Sequence, residues 1–137
     1  FHLLVALPRA GVPGTDLFVS KERGGRVNRV QVKTGTQATK TTKAEGPIYL
    51  WHTSYKSIES NDNSLWYAYV WLNNWPQGEL SPEIFFVPSS KVAECIKGCQ
   101  DDGDKVPFFW MTVAEAKKYK GRPGLDALME SLNSPEP

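Results

Sequence analysis

The stretch "LWYAYVWLN", residues 65–73, constrains the fold more than any other part of this chain. Aromatic and β-branched side chains dominate it, and apolar residues fall on both parities. A strand here is apolar on each face and belongs inside a sheet covered on both sides. It cannot be an edge strand of a half-solvated hairpin. The chain must therefore supply neighbouring strands on either side of it.

The neighbours come from the preceding residues. "FHLLVAL" is β-compatible and ends at Pro8, and "VPG" is a turn. "TDLFVS" alternates, with Leu17 and Val19 on one face and Asp16 and Phe18 on the other. "KERGGR" is a hairpin connection. "VNRVQVKT" alternates again, Val30 and Val32 against Arg29, Gln31 and Lys33. The first third thus predicts an antiparallel meander of three strands over residues 2–34. "GTQATKTTKAEG" reads as a polar loop, "IYLWHT" as a fourth strand, "YKSIESNDNS" and "NWPQGELSP" as loops, and "EIFFVP" as a buried strand.

The helical signals come later in the chain. "SSKVAECIKG" has Ser89 or Ser90 as N-cap and Gly98 as its stop. After the acidic turn "CQDDGDK" and the apolar "PFFWM", "TVAEAKKYKG" carries a capping box, Thr112 and Glu115, with Gly121 beyond its end. "LDALMESL" is a last short amphipathic helix, and "NSPEP" a tail. No internal repeat or linker divides the chain, so residues 1–137 read as one domain in the α/β class. The expected core is a mixed sheet of five or six strands with flanking helices.

With 40% hydrophobic residues the chain has globular composition. No apolar run reaches the roughly 20 residues of a membrane helix, so no membrane partner is expected. The opening "FHLLVALPRAG" is apolar but short and lacks a basic leader, so it reads as a strand rather than a signal peptide. Cys95 and Cys99 lack finger-like spacing, and His2 and His52 are remote in sequence. The two cysteines read as reduced thiols packing a helix, which points to a reducing compartment, the cytoplasm. The net charge of +1 conceals an asymmetry. Residues 1–43 hold eight Lys and Arg against two acids, and residues 44–137 hold eight against thirteen. A polyanionic partner would meet the first segment.

Within that segment, a hairpin sets Asp16, opening one strand, near Gln31 and Lys33, closing the next. Gln31 and Lys33 share a face because strand side chains repeat every two residues. Asp16 is a hard oxygen donor suited to Mg2+, and the Gln31 amide oxygen and the Val32 carbonyl are neutral donors. Lys33 is placed to orient a water or to neutralise charge on a phosphate. The same residues also suit a plainer role, a turn-capping acid and two solvated strand positions. Arg23, Arg26, Arg29, Lys40 and Lys43 are candidate contacts to a phosphate backbone, expected on the same side as the trio. Four of the five tryptophans fall in strand-like runs and read as core. Trp75, in "NNWPQ", sits in a loop, where an indole can stack on a base.

"PGTD" with "VQVKT" after it resembles the PD-(D/E)XK nuclease superfamily, in particular its small bacterial, archaeal and homing-endonuclease-like branch with Gln before X-Lys. "LWYAYVWLN" and "EIFFVPSSKVAECIKG" are similar to that family's two strands and Pro-Ser-capped helix beyond the motif. "FFWMTVAEAKKYKG" is similar to its C-terminal region. The resemblance implies a restriction-endonuclease-like fold and a DNA endonuclease dependent on Mg2+ or Mn2+. It implies Asp16 as metal-binding aspartate, Gln31 in place of the second acid, Lys33 as catalytic lysine, and often a homodimer. It also implies a helix before the first strand, with a Glu that can join the site, whereas this sequence opens at the first strand. Two functions stay open: the endonuclease, and a module that keeps the fold to bind nucleic acid or protein without turnover.

Overall fold

The computed structural model describes residues 2–9, 13–35, 40–73, 75–77 and 81–135. Part of each expected loop at 35–46 and 74–82 therefore lies outside the described residues. Among the described residues the protein is α/β, with a mixed sheet of five strands, a second sheet of three and four helices.

Strands β1 (Leu3–Ala6), β2 (Leu17–Lys21) and β3 (Asn28–Gly35) form the expected antiparallel meander. Strand β6 (Leu65–Trp71) then pairs parallel to β3, and β7 (Glu83–Pro88) pairs antiparallel to β6. The order β1-β2-β3-β6-β7 places β6 between two partners, as its two apolar faces require. Leu65, Tyr67 and Tyr69 enter a large aromatic cluster with Tyr49, Trp51, Phe85 and Phe109. Trp66 and Ala68 enter a smaller cluster with Val19, Val30, Leu128 and Leu132.

Helices and a second sheet cover these faces. "IYLWHT" is not a fourth strand of the main sheet. As β5 (Gly46–His52) it pairs with β4 (Lys40–Thr42) on one side and β8 (Phe108–Thr112) on the other. Tyr49 and Trp51 of β5 then reach across to Phe85 and Tyr69 of the main sheet, at ring separations of 4.8 and 5.0 Å. Strand β4 occupies part of the expected polar loop. The expected loop at 55–64 holds a one-turn helix, α1 (Lys56–Glu59).

Helix ends differ from the expectations for tertiary reasons. Helix α2 (Ser89–Asp101) runs through Gly98. Glycine costs only about 1 kcal/mol inside a helix. The next residue, Cys99, is buried, with its thiol against the Phe108 carbonyl of β8, and this holds the last turn in place. Pro88 is the N-cap. The Ser89 hydroxyl instead contacts Asn61 Oδ1 and the Asp62 carbonyl, tying α2 to the loop before β6.

Helix α3 (Val113–Ala116) is capped by Thr112, whose hydroxyl accepts the Glu115 amide at 3.1 Å. The Glu115 carboxylate pairs with Lys91 rather than closing the box. The helix ends early because residues 119–121 are drawn onto β7. Phe86 N–H donates to the Tyr119 carbonyl, and Gly121 N–H to that of Ile84. Gly121 is thus the N-cap of α4 (Arg122–Ser131), which packs on the smaller cluster through Leu125 and Leu128.

Candidate functional site

The antiparallel β2–β3 pair sets the start of β2 against the middle of β3, with Leu17 opposite Val30. Asp16 stands one residue before β2. Its N–H donates to the Val30 carbonyl at 2.9 Å, and its Oδ2 accepts the Val32 N–H at 2.7 Å. The ladder register pairs Leu17 with Val30, so the Asp16 amide bond is displaced by one residue. The ladder ends there, and the carboxylate stands in for the missing backbone acceptor. This charge-assisted bond fixes the carboxylate against the backbone between Gln31 and Lys33.

Gly14 completes the approach. Its φ of +69° lies in the left-handed region, which glycine enters without strain. The turn then passes over Gln31, and a Cβ built on Gly14 would lie 4.0 Å from Gln31 Oε1. Asp16, the Gln31 amide oxygen and the Val32 backbone therefore gather around one turn. In an extended strand the N–H and C=O of a residue leave from the same edge. The Val32 carbonyl thus leaves β3 on the Asp16 side.

Gln31 and Lys33 share a sheet face with their β6 partners Tyr67 and Tyr69, which are fully buried. Lys33 is half-buried and lies two residues along from Gln31. Among the described residues its ammonium has no hydrogen-bonded or ion-paired partner. Nor, among the described residues, do three His, Cys, Asp or Glu side chains surround a common point. An ion held here would rest on one carboxylate, neutral oxygens and water.

The basic residues divide. Arg23 and Arg26 lie in the β2–β3 connection, at the opposite end of these strands from Asp16 and Lys33. Five residues of extended chain from Asn28 to Lys33 span about 17 Å. The expectation that all five basic residues surround the trio fails for these two. Arg26 Nε donates to Asn28 Oδ1 at 3.2 Å. Asn28 is fully buried and donates to the Ser131 hydroxyl of α4. Arg29 is paired with Asp62 at 3.2 Å, so its charge is already partly neutralised. Lys40 opens β4 and Lys43 lies in the turn after it, both exposed.

Cys95 and Cys99 are free thiols, and both lie against the Phe108 carbonyl. Burial pushes the Cys95 thiol up, opposed by its contact with the Trp110 carbonyl. They pack α2 onto β8, as their spacing suggested.

Sequence reasoning placed Val32 as a carbonyl donor and missed its N–H as the group that orients Asp16. The Pro-Gly pair before Asp16 was the available signal, because it marks a chain reversal that delivers the carboxylate to the strand edge. Comparisons of the chain with protein-family models, with curated proteins and with solved structures found no match. No helix among the described residues is long and apolar enough to cross a membrane.

Proposed function

We propose that the protein is a metal-dependent endonuclease acting on DNA phosphodiester bonds, with a restriction-endonuclease-like fold and a site similar to that of the PD-(D/E)XK superfamily. One observation carries the reading: the Asp16 carboxylate is held by the Val32 amide, between Gln31 and Lys33, sixteen residues along the chain. The mixed sheet that opens with the meander is compatible with that fold.

Asp16, the Gln31 amide oxygen and the Val32 carbonyl are the groups that would hold Mg2+ or Mn2+. They form a hard-oxygen set that leaves room for water. Bound there, the ion supplies a water of lowered pKa and charge neutralisation at the phosphate. The Val32 amide fixes the direction of the carboxylate before any ion arrives. Lys33 offers an ammonium beside the same edge, where negative charge builds on the phosphate. Lys40 and Lys43 come after β3 in the chain and extend the positive field for backbone contact. Arg23 and Arg26 would meet a different stretch of the same polyanion.

The single carboxylate favours a second reading, a binding module without turnover. Plasmid nicking in Mg2+ or Mn2+ separates the two. The wild type is expected to nick, and Lys33→Ala to lose about 100-fold or more while remaining folded and metal-binding. Equal nicking by both proteins removes Lys33 from the mechanism. Nucleic-acid binding by the wild type with no nicking in either metal establishes the second reading.

A further inference from the structure

Trp75 is the exposed tryptophan of this chain. Trp51 and Trp66 are buried, Trp71 and Trp110 are half-buried, and Trp75 is 54% exposed. Its position is set by backbone bonds. Leu72 N–H donates to the Gly35 carbonyl at 2.9 Å, and Trp75 N–H donates to the Leu72 carbonyl at 2.8 Å. Gly35 is the last residue of β3, two beyond Lys33. Asn73 adopts a positive φ of 53°, which turns the chain at this point. Because β6 runs parallel to β3, the chain leaves β6 at the end of the sheet where Lys33 and Asp16 lie. The fold thus presents an indole to solvent at the same end as a carboxylate and a lysine without a partner among the described residues.

An aromatic face at the same end as a lysine ammonium matches a nucleobase attached to a phosphate. Inside a duplex both faces of a base are covered by its neighbours, so an indole reaches a base face only where pairing or stacking is interrupted. We infer that Trp75 stacks on an unpaired nucleobase whose neighbouring phosphate meets Lys33, so that the substrate class is nucleic acid with a single-stranded, flapped or frayed segment. This inference rests on the proposed nuclease reading and narrows it.

The test measures binding of a labelled single-stranded oligonucleotide and of the fully paired duplex of equal length, in chelator and at one fixed salt concentration. Trp75→Ala is expected to weaken single-strand binding about 5- to 150-fold, the equivalent of one base–aromatic stack. It should change duplex binding less than about twofold. Trp75→Phe should recover most of the loss, and the quenching of indole fluorescence by single strands should shrink in both variants. Unchanged single-strand affinity in Trp75→Ala, or an equal loss on both substrates, overturns the inference. The two readings fail separately. Lys33-dependent nicking with no effect of Trp75→Ala leaves the nuclease and removes the stacking role. Trp75-dependent single-strand binding without nicking does the reverse. No binding of either oligonucleotide contradicts both.

Discussion

Asp62 does beside the start of β3 what Asp16 does beside its middle: each uses a carboxylate to hold a neighbouring backbone in place. Asp62 Oδ1 accepts the Ser64 N–H at 2.7 Å and its hydroxyl at 2.8 Å, while Oδ2 meets Arg29. These Ser64 bonds, and then Arg29, hold the Asp62 carboxyl below its ordinary value. A depressed folded-state pKa stabilises the fold above the unfolded-state pKa. That contribution is lost as the pH falls through the lowered value. Asp62→Asn should therefore lower the unfolding temperature at neutral pH, with the gap closing below about pH 4, where the unfolded aspartate protonates. Melting curves across that range check it, and a gap independent of pH would show that the charge plays no part. At this scale the approach of Asp16 to the β3 backbone next to Gln31 was legible, because a short hairpin and a period of two leave few alternatives. The Val32 amide was not legible, because its bond depends on a one-residue register slip just before β2.

Among the elements, β6 was the most legible, since a segment apolar on both faces has few places to go. The second sheet was not: β5 and β8 are far apart in the chain, and neither pattern names its partner. The early end of α3 was hidden for a related reason, since the capping signal at Thr112 starts a helix but cannot report that β7 recruits residues 119–121. The end of β3 depends on one close approach. A Cβ on Gly35 would lie 2.9 Å from Trp51 Cδ1 and 3.0 Å from its Nε1. Trp51 is 3% exposed, and its Nε1 donates to the Val70 carbonyl, so the ring has little room to swing away. Gly35→Ala should cost about 1–3 kcal/mol through overpacking. Urea unfolding measures this, and an unchanged midpoint would show that Trp51 does not pin the strand that carries Lys33.

For the molecule as a whole, the charge asymmetry was plain in the sequence, but its layout was not. Strand direction sends Arg23 and Arg26 to one end of the sheet and leaves Lys33 at the other, a separation that composition cannot express. The proposed function depends on a cation site at one end of this sheet, made by Asp16, Gln31 and the Val32 backbone. Thermal unfolding of the wild type and of Gln31→Glu, each in chelator and with Mg2+ or Mn2+ added, tests it most directly. A second carboxylate beside Asp16 should repel it when no ion is present and bind the ion more tightly when one is. Gln31→Glu should thus melt below the wild type in chelator and gain about 2.7 kcal/mol from the metal at roughly a hundredfold excess over its Kd, more than the wild type gains at the same concentration. A metal response identical in the two proteins would contradict the claim, since Gln31 would then have no part in holding a cation.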